Sequence, residues 1–185
     1  MRMSQEDKEK SHARIVASAA RLFREQGLEG ASVADVMKDA GMTHGGFYKH
    51  FESKDALVER ALESAFAEFV AQLAPEGAED AFAAYRALYI SDEHLRHPGK
   101  GCPVAALGAE IARGSGSLKR AFGAGVRRMI AAIAASRSGS VAARRRAALR
   151  DFSMLVGAMV IARASDPDMA AEVLDACRGE ARDAR

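Results

Sequence analysis

The sequence predicts an all-α protein, and three observations carry that reading. Forty of the 185 residues are alanine, the strongest helix former and a poor strand former. Tryptophan is absent and aromatics make up only 6%, so the core must come from closely packed helices. Apolar residues recur at spacings of three and four along most of the chain, and no stretch alternates as a strand would. The expected build is about nine helices in a chain long enough to bury a core without disulfides.

Each element has its own reason. Residues 1–9 are polar and read as a frayed arm. From Lys10, Ile15, Ala19, Leu22 and Phe23 form a helical stripe that Gly27 ends. Ser32 is a natural N-cap for a short helix carrying Val33, Val36 and Met37, and Asp35 completes a capping box. Gly41 stops that helix. Thr43 is expected to cap a second short helix, with Phe47 and Phe51 on its inner face. Ser53 caps a longer helix from Lys54, whose stripe runs through Leu57, Leu62, Phe66 and Phe69.

The second half is less sharply punctuated. Pro75 and Gly77 break the long helix, and Ala78 to about His94 reads as one helix. Residues 97–101 (HPGKG) form a loop by composition. Cys102 is the N-cap of a helix with Pro103 at its first position, ending near Gly114 and Gly116. Ser117 to about Ser136 is amphipathic, and residues 138–140 turn. Val141 to Ala164 is a long helix, apolar nearly all round from Phe152 to Ala162. Pro167 starts a last helix that Gly179 ends.

Composition excludes several classes. The longest apolar run, Met154–Ala162, is far short of the ~18 residues a membrane span needs. The charged N-terminus has no signal-peptide core, and two cysteines form no disulfide framework. A cytoplasmic protein that does not engage the membrane is expected. The net charge of +2 conceals unlike blocks: residues 1–110 sum to −5, residues 111–150 to +10 and residues 151–185 to −3. The basic block has three readings: a solvated face, the rim of a pocket for an anionic ligand, and a second nucleic-acid surface.

Residues 32–51 have the layout of a helix-turn-helix: two short helices joined by a Gly-containing turn, with helices before and after. The start of the second, Thr43-His44-Gly45-Gly46, is nearly stripped of bulk, so its backbone can approach DNA closely. Tyr48, Lys49, His50 and Lys54 supply donors around it.

The run GASVADVMKDAGMTHGGFYKHFESKDALVERAL resembles the DNA-binding domain of the TetR family of bacterial repressors. The matching features are the helix ending in LFREQG, the S-V-x-x-V start, the G-x-T-x-G turn, the F-Y-x-H-F segment and the S-K-x-x-L that follows. The resemblance covers about residues 10–70. The remaining 71–185 suit, by layout alone, the family's helical ligand-binding and dimerisation domain.

The resemblance implies a homodimeric repressor bound to a near-palindromic double-stranded DNA operator and released by an effector in its C-terminal half. Ser32 and Thr43 would touch phosphates. His44, Gly45 and Lys49 would lie nearest base edges. Tyr48, His50 and Lys54 would contact backbone phosphates, with Lys54 adding its helix N-terminus. Glycine at both 45 and 46 leaves few side chains for direct readout and shifts specificity toward DNA shape. The last two long helices would form a four-helix dimer interface. Gly157, Ala158 and Ala162 would admit a partner helix, although helix 141–164 could equally be the centre of one subunit's core.

Some TetR-type repressors are similar in carrying a cysteine near this helix that senses electrophiles or oxidants. Cys102, at a helix N-cap beside Lys100, is the corresponding candidate, its thiolate favoured by the helix dipole and the cation. The alternative is an inert buried thiol. Asp92, His94, His97 and Cys102 lie within eleven positions and carry zinc-ligand chemistry, so a metal-responsive repressor is a variant. A helical interaction protein without specific DNA binding is the third class. No G-x-S-x-G, H-E-x-x-H, P-loop or C-x-x-C is present, so neither an enzyme nor a cofactor is expected.

Overall fold

Among the described residues the fold has nine α-helices, two short 3-10 helices and no strand. The computed structural model describes residues 5–71 and 81–179. Helix α1 (Gln5–Gly30) starts well before Lys10. The pairs Gln5–Glu9 (2.8 Å) and Glu6–Lys10 (2.6 Å), each four residues apart, support the early turns. The arm expected over residues 1–9 is therefore helical from Gln5, and residues 1–4 lie outside the described residues.

Gly27 does end the regular part of α1, with φ 81° and ψ 170°, a left-handed φ that favours glycine. A Cβ there would also stand 2.7 Å from Glu110 Oε1. The kink turns the Leu28 amide outward, where it donates to Glu110 Oε2 at 2.7 Å. A chain break in one helix thus becomes a bond to another helix 82 positions away.

Helix α2 (Val33–Asp39) leads to a 3-10 helix (His44–Lys49) and then α3 (Lys54–Ala71). Ser53 caps α3 as expected, its Oγ accepting from Ala56 N–H at 3.1 Å. Helix α3 packs against α1 on one side and against α7 (Gly116–Ala135) on the other. Phe66 of α3 meets Phe122 of α7 edge-on, with ring centroids 5.7 Å apart. One hydrophobic cluster therefore runs unbroken from Phe23 and Phe47 to Phe152 and Leu155.

The expected helix over 78–94 is two helices, α4 (Ala81–Tyr89) and α5 (Asp92–Arg96). Ser91 divides them: its Oγ accepts from the His94 amide at 3.1 Å and donates to Leu88 O at 2.7 Å. Residues 78–80 of that expectation, with Pro75 and Gly77, lie outside the described residues. A 3-10 turn (Pro98–Lys100) fills the expected loop, and α6 (Pro103–Arg113) follows with Cys102 at its N-cap. Helix α8 (Val141–Ala164) starts and stops as the sequence predicts, and α9 (Pro167–Gly179) starts at Pro167 as expected, with the residues after Gly179 outside the described ones.

Helix α8 settles one open alternative. Ala158 and Ala162 are 5% and 2% exposed, packed inside their own subunit with Phe152, Leu155 and Met159. They do not face outward to admit a partner helix. Of the three small residues only Gly157 keeps open space where a Cβ would stand. The basic block is dispersed. Arg145, Arg146 and Arg150 are exposed. Arg137 turns inward, bonding Asp151 at 2.6 Å and covering the Phe82 ring at 4.1 Å. No helix among the described residues is long and apolar enough to cross a membrane.

Candidate functional site

The candidate DNA-reading surface is built outward from two phenylalanines. Phe47 and Phe51, 2% and 5% exposed, stack with centroids 5.7 Å apart and anchor the 3-10 helix to the head. Gly41 makes the approach possible. Its φ of 70° closes the turn in which Met42 N–H donates to Met37 O at 2.8 Å. With the inner face held, Thr43, His44, Gly45, Tyr48 and Lys49 are all exposed. Tyr48 is 74% exposed, its ring braced edge-on against Phe47 at 5.2 Å. Nothing lies within 4 Å of where a Gly45 Cβ would stand, so the backbone there is open to a large partner.

Two details depart from expectation. The reading segment is a 3-10 helix, since two adjacent glycines in six residues weaken the α form. Thr43 stands at its N-cap, but the side chain makes no capping hydrogen bond, which leaves the hydroxyl unengaged at the surface. Ser32, in contrast, is fully used. Its Oγ accepts from Asp35 N–H at 3.1 Å, and its own N–H donates to Asp35 Oδ2 at 3.0 Å. The Ser32 hydroxyl and amide hold the Asp35 carboxyl below its ordinary pKa. The exposed Ser32 can reach a phosphate only in competition with that box.

Lys54 and His50 turn inward. Lys54 Nζ donates to the Leu28 carbonyl, just past the Gly27 kink, and sits 5.9 Å from the centroid of Phe23. In the free protein it ties α3 to the end of α1 and does not project toward phosphates. His50 is half-buried, and its Nδ1 is enclosed without a hydrogen-bond partner among the described residues. Its ring lies 6.0 Å from that of His12, which stacks on Phe51 at 4.6 Å. Burial first, then the neighbouring His12, Lys8 and Lys49, pushes the His50 pKa down. His12 was missed in the sequence. Its only signal was its position three residues before Ile15, close to the buried stripe of α1.

The C-terminal candidates separate. Cys102 stands at the N-cap of α6, but it is 0% exposed, and burial pushes its thiol pKa up. The expected low-pKa thiolate is thus overturned in this conformation. Its cationic neighbour is Arg163, not Lys100. His94 is committed on both nitrogens: Nδ1 lies 2.7 Å from Tyr89 O, and Nε2 accepts from Cys102 N–H at 2.9 Å. That pattern requires the neutral ring with its proton on Nδ1, and burial takes the pKa down to about 4. Asp92 faces Arg96 and Arg178, and His97 pairs with Glu93. The four residues considered for a metal therefore do not converge, and no group of three or more potential ligands forms among the described residues.

Residues 15–61 match the family model for bacterial regulatory proteins of the tetR family. The match takes in the head and about a quarter of the chain, so it is over this head that the chain is similar to the tetR family. Curated relatives match the same region. The HTH-type transcriptional regulator TtgR of Pseudomonas putida is 34% identical over 64 residues, 35% of this chain and 30% of its own length. The HTH-type transcriptional repressor KstR2 of Rhodococcus jostii is 43% identical over 44 residues, 24% of this chain and 22% of its own length. These matches leave more than two thirds of each relative uncovered.

The fold likeness extends over most of the chain. The reduced form of NemR from E. coli superposes with a TM-score of 0.76 at 22% identity, covering 92% of this chain and 94% of that one. A TetR transcriptional regulator from Chloroflexus aurantiacus gives 0.74 at 23% identity, covering 95% and 94%. At that identity the likeness is one of fold. The TetR-type head of this chain is accordingly Thr43 to Lys49 displayed on the paired Phe47 and Phe51, with α1 and α3 as its frame.

Proposed function

We propose that this protein is a cytoplasmic, non-enzymatic transcriptional repressor. As a homodimer it places two copies of the His44–Lys49 segment in successive major grooves of a near-palindromic operator. The observation that carries the reading is the outward stripe of Thr43, His44, Gly45, Tyr48 and Lys49 on an element whose opposite side is locked by Phe47 and Phe51. Lys49 and His44 read base edges, and Tyr48 and Thr43 position the head on phosphates. Ser32 adds a contact at the start of α2. With Gly45 bare, DNA shape supplies the rest of the specificity.

Release comes from an effector bound in the C-terminal half. The burial of Cys102 favours a reversibly bound small molecule over an electrophile that modifies the thiol. One structural neighbour is described in a reduced form, so the distinction is worth measuring. The second chain of the dimer docks on the outward face of α8 and α9, where Leu149, Val160, Ile161 and Met169 are more than 40% exposed.

The test is selection of bound DNA from a random pool, followed by affinity measurements across a salt series. Lys49→Ala is expected to weaken the selected operator by about 1–3 kcal/mol per contacted base pair and to relax specificity there, with little change on unrelated DNA. Tyr48→Ala should weaken binding to all sequences alike. Cys102→Ser should be displaced from the operator by the same effector as wild type. Recovery of no preferred DNA sequence, or equal affinity in wild type and both head variants, refutes the proposal.

A further inference from the structure

Helix α1 is formed from Gln5 onward, so its first turns hold a fixed place beside the reading segment. Lys8 and His12, four residues apart, share one face of α1. That face turns toward the end of the segment. The His12 ring stacks on Phe51 with centroids 4.6 Å apart and lies 6.0 Å from the His50 ring. His50 follows Lys49 directly as the C-cap of the 3-10 helix. The start of α1 and the end of the reading segment thus form one corner of the head, with Arg60 of α3 at its edge.

The charged neighbours that act on the two rings are all cations. Facing His12 are Lys8 from its own helix and Arg60 from α3. Facing His50 are His12, Lys8 and Lys49. Acidic side chains near these positions in sequence are turned to other partners. Glu6 bonds Lys10 at 2.6 Å, Glu9 takes the Gln5 amide at 2.8 Å, and Glu63 pairs with Arg60 at 2.9 Å. The corner therefore holds two exposed lysines and a histidine pair with no carboxylate among their electrostatic neighbours. Like charges gathered in this way favour an arriving anion.

The two rings differ in what they can offer it. His50 Nδ1 is enclosed and has no partner among the described residues. A proton there would be a buried donor without an acceptor, so the neutral ring keeps its proton on Nε2 and donates from that side. Neither nitrogen of His12 is enclosed in this way. Burial, then Arg60 and Lys8, holds the His12 pKa below 6.5. Two of those three causes are charges, which an anion beside Lys8 would offset.

We propose that Lys8 and His12, with the Nε2–H of His50, seat a backbone phosphate of double-stranded DNA beside the groove that His44–Lys49 enters, and that His12 takes up a solvent proton as the phosphate arrives. The proposal rests on the reading of the head as a DNA-binding element and extends that element to the start of α1. The ligand is a DNA phosphate because the corner adjoins Lys49, and backbone phosphates border the major groove on both sides. DNA affinity then rises as pH falls, the reverse of the effect of acid on the stability of the fold.

The test uses the full-length protein and a random-sequence duplex long enough to span two half-sites, because phosphate contacts do not need the operator sequence. Lys8→Ala should lower the slope of log affinity against log salt by about 0.9 for each bound head. Lys10→Ala, on another face of α1, should leave the slope unchanged. The His12 ring protons, assigned by NMR with His12→Gln, should titrate about one unit or more higher when the duplex is bound. On acidification wild type should gain more affinity than His12→Gln, while the exposed His44 contributes to both. If His12→Gln does not fold, the Lys8→Ala slope decides. An unchanged slope in Lys8→Ala, or a His12 pKa that the duplex leaves unmoved, overturns the proposal. So does inorganic phosphate that raises the His12 pKa as far as the duplex does, since the site would then bind a free anion. Wild type that binds no duplex even at low salt refutes the DNA-binding reading as well. Duplex binding that neither readout registers refutes the α1 contact alone.

Discussion

At the scale of single residues, the structure gives Lys54 and His94 jobs that sequence spacing does not reveal. Lys54 caps the carbonyl that the Gly27 kink frees, at Leu28. Lys54→Ala should therefore lower stability by about 1 kcal/mol and weaken operator binding indirectly, with the salt slope unchanged. Denaturant unfolding and a salt series measure the two effects separately. A reduced slope at unchanged stability would return Lys54 to the phosphates. His94 makes stability depend on pH. Its ordinary pKa of 6.5 drops to about 4 in the fold. Below pH 6.5 the unfolded chain takes up a proton that the native ring refuses, so stability falls as pH drops from 6.5 to 4, by up to about 3 kcal/mol. His12 and His50 are shifted the same way. The difference between wild type and His94→Gln isolates this share: the variant's melting temperature should fall less over that pH range. Parallel profiles would exclude His94 as the source.

At the scale of elements, legibility followed the physics of caps. The starts of α2, α3 and α6 could be read because Ser32, Ser53 and Cys102-Pro103 are local signals, whereas Ser140, which caps α8, reads in the sequence only as part of a turn. The 3-10 form of His44–Lys49 could not, because two glycines lower the preference for any one helix type. The α4–α5 break was hidden because Ser91 sits in a stretch whose apolar spacing continues past it. The orientation of α8 was also hidden: a helix apolar on most sides does not say which side its own subunit uses. Structure assigns Leu155, Ala158 and Met159 inward. That leaves Leu149, Val160 and Ile161 exposed on the outward side, while Val156 packs half-buried against the core. Ile161→Asp should leave the subunit folded by circular dichroism, since the residue is 50% exposed. It should convert the protein to monomers in sedimentation and abolish high-affinity operator binding. A dimer that survives this charge would place the interface elsewhere.

At the scale of the whole molecule, head and body are joined by a few named bonds as well as by a shared core. Arg24, 5% exposed on α1, donates to Ala20 O at 2.8 Å, to Gly101 O at 3.0 Å and to Glu68 of α3 at 3.1 Å. Gly101 adjoins Cys102, whose amide holds His94, and it lines an aromatic cavity with Phe69, Tyr85 and Tyr89. One guanidinium thus connects the reading head to the cavity wall 77 positions away. A ligand can shift operator affinity only through contacts that differ between two states, and this bond is placed to register movement of the 98–101 turn. Arg24→Met keeps much of the side-chain volume and removes all three bonds, leaving Gly101 O without that donor. Amide hydrogen exchange should then speed up in residues 98–106 as well as in α1, while Lys10→Met, far along the exposed start of α1, should change neither region. If exchange in 98–106 stays at the wild-type rate, the bond is not carrying free energy between the two halves. Coupling would then run through α3, where Phe66 and Phe69 serve the body as fully as Leu57 and Val58 serve the head.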